Sequence, residues 1–307
     1  MRTSLFRMLM LFLVLASCNR TPSPSPQADS PPTGKLKAVA TTTILGDVVS
    51  QVAGDSIELS TLLPVGSDPH TYEPTPQDIV SVAEADIVFT TGTSLETFID
   101  PLLSNAGGKA VVVRASEGIN LLHAPVGEDQ GNDPHIWFDP NNLMIWADNI
   151  QNGLSRVDPA NAGAYQINAD HYKRKLSDLD NWVRQQVAQI PEVDRKLVTD
   201  HLIFAYFASR YGFEQVGAVV PSYSTMAEPS AQQLATLEDA IRSLGVKAVF
   251  VGNTVNPTLA KRVAEDTGIQ LVYVYTDSLT EAGGPAANTL DLIRYTVNAI
   301  VSGLRQS

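Results

Sequence analysis

The sequence predicts an α/β protein of two lobes, each built on a parallel sheet, bridged by one long rigid helix. Three observations carry this. Short β-branched or apolar runs alternate with helix-length amphipathic runs through residues 38–114. The same alternation returns through residues 196–275. Between them, a single helical pattern runs from Asp158 to Pro191. Strands that alternate with helices pair in parallel and are covered on both faces, because each crossover lays a helix over the sheet.

The first sheet is expected to use residues 38–43, 57–63, 87–91 and 110–114, all rich in Val, Ile, Leu or Thr. A helix follows the first strand over Ile44–Ala53 and stops near Gly54. Thr75-Pro76-Gln77-Asp78 places a capping residue, a proline at the first helical position and an acid at the third, which is a helix start. The second sheet is expected at 196–199, 215–220, 248–251 and 271–275. Ser230 and Gln233 have the spacing of a capping box. Asn256-Pro257 opens another helix, which Gly268 ends. In the central segment, apolar residues fall three or four apart at Tyr165, Ala169, Tyr172, Leu176, Leu179, Val183, Val187 and Ile190. Read as one helix over 158–191, it is a stiff connector that restricts hinge opening.

The ends carry different signals. Arg2 and Arg7 precede an apolar run, Met8 to Leu15, too short to span a bilayer. Leu15-Ala16-Ser17-Cys18 resembles a bacterial lipoprotein cleavage box, so residues 1–17 are expected to be a signal peptide and Cys18 the lipidation site. Cys18 is the only cysteine, and acylation removes an otherwise odd free thiol. Residues 18–36 form a Pro/Ser-rich tether. The lobes then occupy 37–157 and 192–307. With Cys18 acylated, the body has no disulfide, no cysteine-rich metal site and no cysteine nucleophile. The net charge of −12 argues against nucleic acid or anionic lipid as partners.

The chemistry-bearing signal is a repeated tripeptide, Asp68-Pro69-His70 and Asp133-Pro134-His135. Proline fixes one backbone dihedral and biases the preceding residue toward extended geometry, which stiffens each loop and aims its imidazole. His201 directly follows a predicted strand, and Asp277 follows another. Three imidazoles and a carboxylate complete the coordination sphere of one divalent metal. Taken singly, each is an ordinary loop residue, and Asp-Pro is common turn chemistry. Together they are three of the five histidines, all at strand ends, where open α/β folds hold ligands. His171 sits on the long helix, and His123 lies in the 121–132 connector, where it can assist capture.

Asp68-Pro-His70-Thr-Tyr72-Glu73-Pro74, Asp133-Pro-His135-Ile-Trp137-Phe-Asp139-Pro140, Asp200-His201-Leu-Ile-Phe204, Ser224-Thr-Met-Ala-Glu228-Pro229 and Tyr275-Thr-Asp277-Ser-Leu resemble, in order, the signature segments of the zinc/manganese-type ABC-transporter solute-binding lipoproteins. That resemblance covers essentially all of 37–307. It implies one metal ion held between the lobes, by His70 and His135 from the first and His201 and Asp277 from the second. Asp139 and Glu228 become supporting groups behind the ligands. The resemblance further implies partner permease and ATPase chains, a lipid-anchored monomer on the outer face of the cytoplasmic membrane, and no catalysis. No Walker A motif is present in the sequence.

Manganese-preferring members commonly carry a carboxylate where this chain has His201. Zinc-preferring members often carry a His-rich loop where this chain has only His123. The nitrogen-rich donor set favours Zn2+ over Mn2+. Unperturbed histidines would make binding weaken steeply below about pH 6. Three other readings share the pattern: a zinc hydrolase with Glu73 or Glu228 as base, a surface adhesin, and a binder of siderophore or corrinoid.

Overall fold

The computed structural model describes residues 34–123 and 131–305. Cys18, the signal segment and nearly all of the tether lie outside them. Two four-stranded parallel sheets form the frame. The first uses β1 (Leu36–Ala40), β2 (Ile57–Thr61), β3 (Ile87–Thr90) and β4 (Val111–Arg114) in the order β2-β1-β3-β4. The second uses β5 (Lys196–Thr199), β6 (Glu214–Ala218), β7 (Ala248–Val251) and β8 (Gln270–Tyr273) in the order β6-β5-β7-β8. The order is the same, so the first and third strands of each sheet are central. The candidate ligands follow the C-terminal ends of β2, β4, β5 and β8 in the chain.

Each strand splits its side chains between two cores, as the two-residue period requires. In β1, Ala38 and Ala40 face the large central cluster while Val39 joins a smaller one. In β7, Ala248 and Phe250 face the central cluster while Val249 and Val251 face the other side. The outer clusters are covered in the first lobe by α2 (Pro76–Glu84) and α3 (Ile99–Asn105). In the second lobe α7 (Ala231–Leu244) and α8 (Thr258–Thr267) do the same. Helix starts follow the sequence closely: Thr75 with Asp78, and Ser230 with Gln233, form reciprocal capping boxes.

The central layer holds α1 (Thr43–Ala53), α4 (Pro140–Val157), α5 (Ala162–Val187) and α9 (Thr289–Arg305), with α6 (Ala205–Tyr211) beside them. The predicted single helix over 158–191 is shorter than expected. Pro159–Asn161 is a 3-10 turn, and α5 has 26 residues, about 39 Å. Asp158 Oδ2 does not cap α5; it accepts from Tyr165 Oη at 2.6 Å and from Asn161 Nδ2 at 2.7 Å, which folds the chain back from α4 into α5. The expected apolar stripe from Tyr165 to Val187 is buried along its whole length. Each large aliphatic side chain removed from water there contributes about 1.5–3 kcal/mol.

After β8 the chain crosses back to the first lobe, and α9 runs from there to the second sheet, where Gly303 packs against Val272 and Phe250. Its N-terminus is capped by Asp47 of α1, whose Oδ2 accepts the Thr289 N–H at 2.8 Å. One continuous core therefore runs from β1 through α5 to β7. No helix among the described residues is long and apolar enough to cross a membrane.

Candidate metal centre

The two Asp-Pro-His turns use one local device. Asp68 Oδ1 accepts the His70 N–H at 2.9 Å, and Asp133 Oδ1 accepts the His135 N–H at 2.9 Å. Such an aspartate turn fixes the backbone that presents the following imidazole. The copies then diverge. Asp133 Oδ1 also meets His135 Nδ1 at 2.8 Å. Asp68 instead turns its other oxygen to Thr225, whose Oγ1 donates to Asp68 Oδ2 at 2.5 Å.

His201 follows β5 with the same logic compressed by one residue. Asp200 Oδ1 takes the His201 N–H at 2.6 Å and meets Nδ1 at 2.7 Å, while Asp200 Oδ2 accepts the Gly252 N–H at 2.6 Å. Asp277 follows β8. Its Oδ2 accepts from Thr276 Oγ1 at 2.8 Å and from Thr254 Oγ1 at 3.2 Å. Its Oδ1 is buried and has no partner among the described residues.

The four side chains meet. One ligand atom from each lies within 4.8 Å of those of the others. His135 Nε2 is 3.2 Å from His70 Nε2 and 3.3 Å from His201 Nε2. Three imidazole nitrogens and an orphaned carboxylate oxygen facing one another in a buried space are a poor hydrogen-bond arrangement. They are a good set of donors for a cation.

Electrostatics divide the histidines. Burial pushes His135 well below the usual imidazole range, with the neighbouring His201 and His70 adding to it. Burial likewise lowers His70. His201 goes the other way: burial opposes its charge, but the Asp200 carboxylate and hydrogen bond outweigh it and raise His201 to about 9. Burial raises Asp133 to about 7.

The two expected supporting residues, Asp139 and Glu228, lie away from the imidazole nitrogens. Asp139 is half-buried, caps α4 through the Asn141 N–H and pairs with Arg210 at 3.1 Å, so it braces the loop without touching an imidazole. Glu228 is exposed and lines a cavity that also reaches His201. Asp133 and Asp200 hold the rings instead. Their signal was in the sequence: each lies one or two residues before a candidate histidine, where a metal-bound imidazole's second nitrogen seeks a carboxylate. His123 and His171 are exposed. His123 is bridged to Asn132, and residues 124–130 of its connector lie outside the described ones.

Gly252 is a close-approach position. A Cβ there would collide with Thr276 Oγ1 and come within 3.2 Å of Asp200 Oδ2. Gly252→Ala is expected to disturb the supports of His201 and Asp277 together. Metal affinity should fall about ten- to hundredfold with an unchanged far-ultraviolet spectrum, checked by calorimetric titration.

Two α/β lobes enclosing a nitrogen-rich cation site define a metal-capturing binding protein. The comparisons give the same answer. A family model described as "zinc-uptake complex component A periplasmic" matches residues 38–303, and the chain belongs to that family. Its members are substrate-binding components of metal ABC transporters rather than enzymes. The manganese-binding lipoprotein MntA of Halalkalibacterium halodurans is 35% identical over 272 residues, covering 88% of this chain and 89% of its own. A manganese-bound periplasmic metal-binding protein (S38A mutant) from Candidatus Liberibacter asiaticus superposes with a TM-score of 0.80 at 28% identity, covering 88% of this chain and 100% of its own. The periplasmic zinc-binding protein TroA from Treponema pallidum gives 0.82 at 26%, covering 89% and 100%.

Proposed function

We propose that His70, His135, His201 and Asp277 together bind one divalent transition-metal ion as cargo, for delivery to an ABC permease and ATPase carried on other chains. The observation that carries this is the convergence of three Nε2 atoms on a carboxylate whose second oxygen is buried and unpartnered. Acylated Cys18 and the tether would anchor the protein as a monomer at the outer face of the cytoplasmic membrane. Titration of the purified protein with zinc and manganese tests the reading. One ion per chain is expected, and loss of that stoichiometry in His135→Ala is expected with it.

The relatives' names point to both metals, manganese for MntA and zinc for TroA. We infer that this site binds Zn2+ more tightly than Mn2+. Three imidazoles and one oxygen suit zinc's tetrahedral preference, and the affinity series of first-row ions runs the same way in a given site. His201→Glu should lower the zinc-to-manganese affinity ratio about tenfold, or about 1.4 kcal/mol, because it replaces a nitrogen by a hard oxygen donor and adds a negative charge. Competitive titration of both proteins in one buffer reads the ratio. An unchanged or higher ratio would show that residue 201 does not set selectivity.

A further inference from the structure

The four candidate ligands are not equally held. His135 and His201 each rest their Nδ1 on a buried carboxylate, and Asp277 rests one oxygen on two threonine hydroxyls. Among the described residues the His70 ring has no such support: the Asp68 carboxylate that precedes it accepts its backbone N–H and turns its other oxygen to Thr225. His70 is also the most exposed, at 9%, against 0% for His135, 1% for His201 and 3% for Asp277.

The other three ligands are tied together across the lobes. Tyr206 of α6, five residues after His201, donates to the Asp133 carbonyl at 2.9 Å. Trp137, two residues after His135, donates from Nε1 to the Thr276 carbonyl at 3.0 Å, beside Asp277. Phe138 stacks edge-on against Phe204 at 4.6 Å, and Arg210 of α6 pairs with Asp139. The segment bearing His135 is thus clamped along its length to the elements that carry His201 and Asp277. Among the described residues the His70 loop has two polar links to the second lobe, Gly66 N–H to Ser278 Oγ at 2.8 Å and the Asp68–Thr225 bond. A cavity of about 230 Å³ opens on His70 beside Ser224 and Met226. Another of about 280 Å³ reaches His201 beside Asp68 and Thr225. Asp68 and Thr225 line the second opening, and the chain neighbours of Thr225, Ser224 and Met226, line the first.

We propose that His70 is the exchange ligand. It lets go first when metal leaves and closes last when metal enters, while His135, His201 and Asp277 stay together as a three-ligand seat. Water takes the position that the imidazole vacates, and the Asp68–Thr225 bond sets how often this happens. This rests on the four-ligand reading above, and it divides that site along a seam that does not follow the two-plus-two split between sheets.

The test is release of zinc from the loaded full-length protein into excess chelator, followed by stopped flow, with and without added imidazole. Wild type is compared with His70→Ala, His135→Ala, His201→Ala and Thr225→Val. His70→Ala should retain zinc with an affinity at least about tenfold higher than the other two histidine variants retain. Imidazole should slow its release, because the vacated place opens to solvent. It should not restore His135→Ala or His201→Ala, whose places are closed. Thr225→Val changes no ligand, melts like wild type and should release zinc about tenfold faster. Equal losses for the three histidine variants, rescue at all three positions or at none, or an unchanged rate in Thr225→Val would each overturn the proposal. Tight one-to-one binding by wild type alongside any of these leaves the four-ligand reading standing. Failure of wild type to bind zinc or manganese removes both.

Discussion

Between pH 8 and pH 6, the apparent affinity for zinc is expected to fall at least about hundredfold. The sign follows from which form binds metal: only an unprotonated imidazole donates its lone pair, so a proton bound in the free protein must leave. His201 is raised to about 9 by Asp200 against the opposing effect of burial, so below that pH it carries a proton that the metal displaces. One competing proton gives one decade of affinity per pH unit. Burial holds His135 well below the usual imidazole range and lowers His70 from it, so the upper half of this window is governed by His201. Asp133, raised to about 7 by burial, begins to take up a proton in the lower half of the window. A bound cation favours its ionised form, so the slope should steepen below about pH 7. Calorimetry in buffers of different ionisation enthalpy measures the protons released. About one per metal is expected at pH 8, and a value near zero would show His201 to be neutral in the free protein. Intrinsic imidazole values alone place the loss below about pH 6; the buried aspartate moves its onset upward.

What was legible in the sequence and what was not divides along physical lines. All eight described strands overlap expected segments: β3 and β7, buried at every residue, left a continuous hydrophobic signal, while β2, β6 and β8 are partly exposed and carry a more mixed one. The start of α5 moved because the spacing of Tyr165, Ala169 and Tyr172 describes a face, not a terminus. Asp158 stabilises the turn through Tyr165 Oη and Asn161 instead of capping the helix. α4 went unread although Leu143, Trp146, Ala147, Ile150 and Leu154 keep helical spacing and Asp139-Pro140 is a start signal of the kind recognised at Thr75-Pro76. The His135–Asp139 segment had drawn attention as site chemistry alone. His70 and His135 were legible because a rare residue recurred in a rigid tripeptide, and His201 and Asp277 because each follows a predicted strand. The pairing of Asp68 with Thr225 was not, since a hydrogen bond between residues 157 apart leaves no periodic trace.

Asp200→Asn is expected to weaken metal binding by up to about a hundredfold, although residue 200 is not itself a ligand. Asp200 does three things with two oxygens. Oδ1 receives the His201 N–H and meets Nδ1, which leaves Nε2 as the free lone pair facing His135. Oδ2 receives the Gly252 N–H and so ties β5 to the end of β7. An asparagine has one acceptor oxygen and one donor nitrogen in the same outline. Turned either way, its NH2 faces an N–H: that of Gly252, or those of His201. Rotating the His201 ring to escape would point Nε2 away from the other ligands. The same change removes the charge that raises His201, so the histidine should become neutral near pH 7 and the pH dependence between 9 and 7 should flatten. The two readouts separate the roles. Lower affinity with a flattened pH profile is the expected pair, measured by zinc titration across pH 6 to 9. A lower affinity with the wild-type slope would mean that residue 200 only braces the β5–β7 junction, and that another group holds the proton on His201.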